Sequence, residues 1–173
     1  MTEVTIRKAK RSDIEKLAQL RLQLQRHCEK SNSLIWQITK EGEALIKQKV
    51  SDDLDNVNGH VLIAELNGEI IGFAYSEISH RTDYSPGIVG SISTVYVDRK
   101  ARRKGIGTLL VKQICELFKS EAVEDVTLRY IVGNREAEIF WRKLGFNPVI
   151  TTAKTGLREL KREIEKLHVS KKS

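Results

Sequence analysis

Residues 94–110, TVYVDRKARRKGIGTLL, constrain the fold of this chain more than any other stretch. They begin β-branched and aromatic, pass through five basic residues, turn on Gly105 and Gly107, and become apolar at helical spacing. Ile106, Leu109, Leu110, Ile114, Leu117 and Phe118 share one helical face, which predicts a helix lying on a sheet. A turn between strand and helix leaves the first helical amides without intrahelical partners, all aimed at one point. Those amides and the helix dipole favour an anion there. Glycine at 105 and 107 removes side chains that would hold the anion off, and Arg102, Arg103 and Lys104 add positive charge around it. The stretch is read as a pyrophosphate site.

The glycine pattern is not a dinucleotide fingerprint, because Leu110 stands where the third glycine would be. Nor is it a Walker A loop, since no Gly-Lys-Ser/Thr closes it. Arg102-x-x-Gly105-x-Gly107 does resemble the Arg/Gln-x-x-Gly-x-Gly/Ala turn of the GNAT acyl-CoA N-acyltransferases. Asn134-x-x-Ala137-x-x-Phe140-Trp141-x-Lys143-Leu144-Gly145-Phe146 is similar to that superfamily's last conserved helix and its Gly-Phe exit. The two blocks stand in the expected order, with one helix and one strand between them. The resemblance is specific over residues 88–148 and weaker over residues 5–78.

Composition narrows the remaining choices. A chain of 173 residues is one domain's worth, and its balance of 30 basic to 23 acidic side chains gives a net charge of +7. That sign suits nucleic acid, a membrane surface or an anionic small ligand. A nucleic-acid module would interleave aromatics with its basic residues, and residues 99–104 contain none. Cys28 and Cys115 form no metal or redox spacing, the four histidines are scattered, and Cys115 is expected in the core of the central helix. No metal site is expected. Met1-Thr2-Glu3-Val4 lacks the features of a signal peptide, and no apolar run approaches the roughly 20 residues that span a bilayer. A cytoplasmic setting without a membrane partner is the expectation.

In chain order, residues 4–7 are β-prone, and Ser12-x-x-Glu15 is read as a capping box opening a helix with Ile14, Leu17, Leu20 and Leu24 inward. A second helix is expected over residues 40–50, and an acidic turn with Asp52, Asp53 and Asp55 over 51–59. Asn67-Gly68 marks a hairpin between strands 61–66 and 70–78. Strand 88–97 feeds the basic turn, strand 126–132 follows the central helix, and Asn134 opens another helix with Gly145 as its C′ residue. A last short strand is expected at 149–152. The fold class is therefore α/β (α+β): a GNAT-like mixed sheet with an antiparallel N-terminal half, a parallel splayed strand pair and flanking helices. The GNAT-like domain is read as residues 1–155. Residues 156–173 add an amphipathic helix (Leu157, Leu160, Ile164, Leu167) and a frayed tail to the same domain. Three uses are open to that helix: packing on the domain, a homodimer contact, or a basic membrane or nucleic-acid contact.

The resemblance implies that acetyl-CoA is the cosubstrate and an amine the acceptor. It places the phosphates on the amides of residues 103–108, including Gly105, Ile106, Gly107 and Thr108, with Arg102, Arg103 and Lys104 beside them. Backbone groups of Val95 and Val97 would pair with the pantetheine arm, Asn134 would contact the cofactor, and Trp141 would lie near the sulfur. Asn134 also suits a helix N-cap.

An alkylamine with a pKa of about 10.4 must lose a proton to attack a thioester. Here the sequence departs from the family. Trp141 stands where many members carry a Tyr acid, and an indole N–H does not deliver a proton to a thiolate. Arg129 stands where some peptide-acetylating members have Glu. Ser93, through a water relay, and Tyr130, as a donor, are the remaining candidates for catalysis. The acidic loops suit a cationic acceptor. The alternative from another class is a non-catalytic acyl-CoA-binding sensor or scaffold.

Overall fold

The computed structural model describes residues 3–169. They form two compact units, residues 3–134 and 135–169, each considered by itself. The expected tail at 170–173 lies outside the described residues.

The first unit is a five-stranded sheet in the order β1-β2-β3-β4-β5. Its elements are β1 (Thr5–Lys8), α1 (Ile14–Ser31), α2 (Lys40–Ala44), α3 (Ile46–Asp55), β2 (Gly59–Leu66), β3 (Glu69–His80), β4 (Ile88–Val97), α4 (Ile106–Ser120) and β5 (Asp125–Leu128). Neighbours up to β4 are antiparallel, and β4 with β5 is the parallel pair. The β2–β3 hairpin turns on Asn67 (φ 53°) and Gly68 (φ 79°), the two left-handed residues that match the twist of the strands.

Phe73, Ile63, Ile70 and Tyr96 turn one face of the sheet toward Leu17 and Leu20 of α1 and Ile46 and Val50 of α3. α4 packs on β3 and β4 through Leu110, Ile114 and Phe118. A Cβ on Gly90 would lie 2.4 Å from the Phe118 ring, so β4 carries glycine where the helix comes closest.

Several sequence expectations are corrected. α1 is not opened by a Ser12 capping box but follows a 3-10 turn (Arg11–Asp13) closed by Asp13: Asp13 Oδ2 accepts from the Lys10 amide at 2.7 Å and pairs with Arg7 at 2.8 Å. The Arg7 hydrogen bond holds the nearly buried Asp13 carboxyl below the usual carboxylate range. The second helix breaks at Leu45 into α2 and α3, and α3 runs through Asp52, Asp53 and Asp55. β5 stops at Leu128, four residues short of its expected end at 132. On α4, Val111 takes the buried place given to Leu109, which is 41% exposed. Cys115 follows buried Ile114 on the solvent side and is exposed.

The second unit contains α5 (Arg135–Lys143) and α6 (Leu157–Val169). α5 ends as its Gly145 predicts. Gly145 has φ 88°, its amide bonds the Arg142 carbonyl at 3.0 Å, and the Phe146 amide bonds the Trp141 carbonyl at 3.1 Å. Among the described residues, 149–152 form no strand, and Val149 and Ile150 are exposed. α6 is amphipathic, with Leu157, Leu160, Ile164 and Leu167 all exposed.

Candidate active site

β4 is paired differently along its length. Toward β5 the register runs from Val89↔Asp125 to Ile92↔Leu128 and ends, while β4 continues to Val97. Toward β3 it continues, with one irregularity: Tyr75 pairs with Thr94 and Ser76 with Ile92, which leaves Ser93 as the extra residue of a bulge. Ser93 is exposed.

Beyond the bulge, backbone direction follows from alternation. The Asp98 amide bonds the Ile71 carbonyl at 2.8 Å, so it points toward β3. In an antiparallel ladder successive residues point to opposite sides, so Tyr96 also faces β3 while Val95 and Val97 face away. The Val95 amide and carbonyl and the Val97 amide therefore line the opening left by the short β5, while the Val97 carbonyl accepts from Arg102.

The turn below that opening has the expected shape. Gly105 is the N-cap of α4 with φ 77°, Arg103 is also left-handed at φ 62°, and no side chain among the described residues caps the first turn. The amides of Ile106, Gly107 and Thr108 thus open onto the same side as the helix dipole. Arg103, Lys104, Gly105 and Thr108 are exposed and Gly107 is half-buried, whereas Ile106 anchors the turn in the core at 2% exposure. A helix N-terminus of this kind with two adjoining basic side chains can hold a diphosphate.

Arg102 is engaged otherwise than the sequence suggested. Its Nε donates to the Val97 carbonyl at 3.0 Å, and its guanidinium lies 5.6 Å from the Tyr96 ring centroid. It ties the turn to the end of β4. Burial raises the Tyr96 hydroxyl above its ordinary pKa, against the nearby Arg102 charge.

The remaining candidates are spread more widely. Tyr130 is half-buried and Arg129 exposed, both just past β5. Asn134 closes the first unit, half-buried, its amide on the Ile131 carbonyl at 3.0 Å. Trp141, on α5 in the second unit, is 6% exposed and meets Phe140 and Phe146 edge-on at 4.8 and 5.4 Å. The acidic residues assigned to an acceptor loop are helical and engaged: Asp53 pairs with Arg21, Asp55 with Arg11 at 2.5 Å, and Asp52 accepts from Gln48.

Sequence reasoning passed over a polar group on β3. Tyr75 donates to Glu77, and Asn56, after α3, donates to both. Burial, then the bond to Glu77, raises the Tyr75 hydroxyl far above its ordinary pKa. The available signal was a carboxylate, Glu77, two residues after a tyrosine in the second half of β3. Among the described residues, no group of three or more His, Cys, Asp or Glu could hold a metal ion, and no helix is long and apolar enough to cross a membrane.

A mixed sheet whose parallel pair parts beside a glycine-opened helix defines the class of GNAT-fold acetyltransferases. The profile of the Acetyltransferase (GNAT) family matches residues 18–146, and the chain belongs to that family. A relative, the uncharacterized N-acetyltransferase MJ1207 of Methanocaldococcus jannaschii, is 31% identical over 84 residues, which are 49% of this chain and 37% of that protein. The match thus spans well under half of the relative's length. Among solved structures, the tetramutant of the BH1408 protein of Bacillus halodurans superposes with a TM-score of 0.78 at 23% identity, covering 88% of this chain and 99% of that one. A predicted acetyltransferase of Clostridium acetobutylicum, solved with acetyl-CoA, superposes with a TM-score of 0.71 at 20% identity, covering 91% and 98%. Both likenesses establish the fold.

Proposed function

We propose that this protein is an N-acetyltransferase of the cytoplasm. It moves an acetyl group from acetyl-CoA to a primary amine of a small molecule or protein, by direct attack in a ternary complex. The observation that carries this reading is the parting of β4 from β5 beside the Gly105 turn. The residues present fit the cosubstrate. A left-handed glycine opens a helix toward an anion, and outward-facing backbone groups of Val95 and Val97 offer an extended partner the edge of a missing strand.

Acetyl-CoA supplies an activated acyl carbon; the chain binds, orients and manages protons. The amides of residues 103–108 hold the diphosphate, with Arg103 and Lys104 adding charge that salt screens. Arg102 fixes the turn to β4 and so sets the distance from diphosphate to bulge. The Val95 and Val97 groups align the pantetheine, and an outward amide near the bulge donates to the thioester oxygen as charge grows on it. Asn134 contacts the cosubstrate from the loop after β5. Ser93 holds a water that relays the amine's proton, and Tyr130 protonates the departing sulfur. Alignment of the two reactants supplies much of the rate.

Calorimetry with coenzyme A at low salt, followed by thiol release from acetyl-CoA across a panel of primary amines, tests the proposal. Heat on binding and amine-dependent thiol are expected. No heat sinks the whole reading, whereas binding with no thiol from any amine leaves a sensor or scaffold. Ser93→Ala and Tyr130→Phe should each lower turnover more than CoA affinity.

A further inference from the structure

Glu77 is held otherwise than the arginine-paired carboxylates of the same unit. Asp13 is paired with Arg7, Asp53 with Arg21, Asp55 with Arg11 and Glu43 with Arg26. Glu77 instead accepts from the Tyr75 hydroxyl and, at 2.6 Å, from Asn56 Nδ2. Both donors are neutral and both take Oε1. Among the described residues no hydrogen bond or cation reaches Oε2, so the carboxylate is fixed in orientation but not neutralised.

Its position matters as much as its bonds. Across the strands Glu77 pairs with Ser91 and Tyr75 with Thr94, so the fixed carboxylate lies alongside the Ser93 bulge. Room for this group is built into β2. A Cβ on Gly59 would come within 3.0 Å of the Tyr75 hydroxyl and 3.1 Å of Asn56 Cβ. The side chain is half-buried, which strengthens its attraction for a cation that brings its own donors. An alkylammonium has that chemistry.

We infer that Glu77 receives the acceptor: Oε2 binds the ammonium group of a cationic primary amine and, once that group has lost a proton to solvent, takes the next proton as the neutral nitrogen attacks. This rests on the acetyl-transfer reading. In the step, the nitrogen lone pair forms the C–N bond and the C–S bond breaks with its electron pair on sulfur. Two protons leave nitrogen: one from the bound ammonium to solvent, which frees the lone pair, and one from the attacking nitrogen to Glu77, directly or through the water held at Ser93, while the thiolate takes a proton from Tyr130 or solvent. The Asp53 charge, paired with Arg21, acts on the neighbouring Tyr75 from α3 and α1, while the cross-strand partners of Glu77 are the uncharged Gly59 of β2 and Ser91 of β4.

The test uses the full chain loaded with coenzyme A, and spermidine, ethanolamine and an alanyl tripeptide as probes. Glu77→Gln keeps the acceptor oxygen for Tyr75 and Asn56 but removes the charge. Expected are unchanged CoA affinity and melting temperature, at least tenfold weaker binding of whichever probe binds the wild type, and about a hundredfold loss of kcat/KM. Tyr75→Phe, which removes one of the two donors that orient the carboxylate but keeps its charge, should weaken probe binding less than Glu77→Gln does and leave CoA affinity unchanged. Equal probe binding by wild type and Glu77→Gln overturns the inference, as does failure of every probe to bind. If wild type binds coenzyme A and an amine but releases no thiol, acetyl transfer fails while Glu77 as the amine's receptor is still decided by the binding comparison.

Discussion

The two halves of β4 are one strand with two different jobs. Its first half, through Ile92, has β3 on one side, β5 on the other and α4 on one face, with Val89 and Ile92 buried. Its second half keeps β3 but loses β5, and there the outward backbone groups of Val95 and Val97 are presented. Residue types barely distinguish the halves, since both are rich in β-branched residues. The difference is made by where the neighbour stops and by one inserted residue, Ser93. A strand becomes a binding edge when its partner is short, not when its own side chains become polar.

The largest effect that would break this comparison lies in the first half. Gly90→Ala places a Cβ 2.4 Å from the Phe118 ring in a packed interior. Overpacking of that kind costs about 2–3 kcal/mol. A fall in melting temperature is expected, while affinity for coenzyme A, measured well below the transition, stays at the wild-type value. A large loss of affinity with unchanged stability would mean the halves are not separable.

At the junction the effect should be smaller and divided. Arg102→Ala removes the bond to the Val97 carbonyl and the cation over Tyr96. Together these are worth roughly 2 kcal/mol. Both stability and coenzyme affinity should drop. If thermal unfolding does not change but affinity falls, Arg102 leaves β4 for the anion and acts as its two basic neighbours do.

How much of this was legible beforehand depends on how local the signal was. Asn67-Gly68 and Gly105-x-Gly107 specify left-handed backbone within a few residues, so hairpin and turn were readable at once. The end of β5 was not. Residues 129–132 are as strand-prone as those before them, and only the missing neighbour tells them apart. The 149–152 segment failed for the same reason: Val149 and Ile150 are good strand residues without a strand to join. On α4 the six apolar residues cover a broad face with Leu109 at one edge and Val111 just beyond the other, so periodicity alone could not say that Leu109 lies outside and Val111 inside. Asp52, Asp53 and Asp55 looked like a turn because acidic residues are poor in mid-helix. Arg21 and Arg11 neutralise two of them from across the chain. Glu77 is not legible in the sequence because only the strand register brings this β3 carboxylate beside β4.

The smallest effect sharpens the comparison most, because it should touch one property only. Arg103 and Lys104 are exposed, and neither is tied to β4 as Arg102 is. Replacing both with Ala should leave thermal unfolding where it is. Affinity for coenzyme A should fall about tenfold at low salt, or about 1.4 kcal/mol. Screening weakens exposed charge pairs, so the gap between wild type and variant should narrow as ionic strength rises from 10 mM toward 1 M. The backbone amides of the turn do not depend on these side chains, and residual binding at high salt measures what the Gly105 geometry contributes alone. A difference that does not shrink with salt would mean the two cations shape the turn and do not attract the anion.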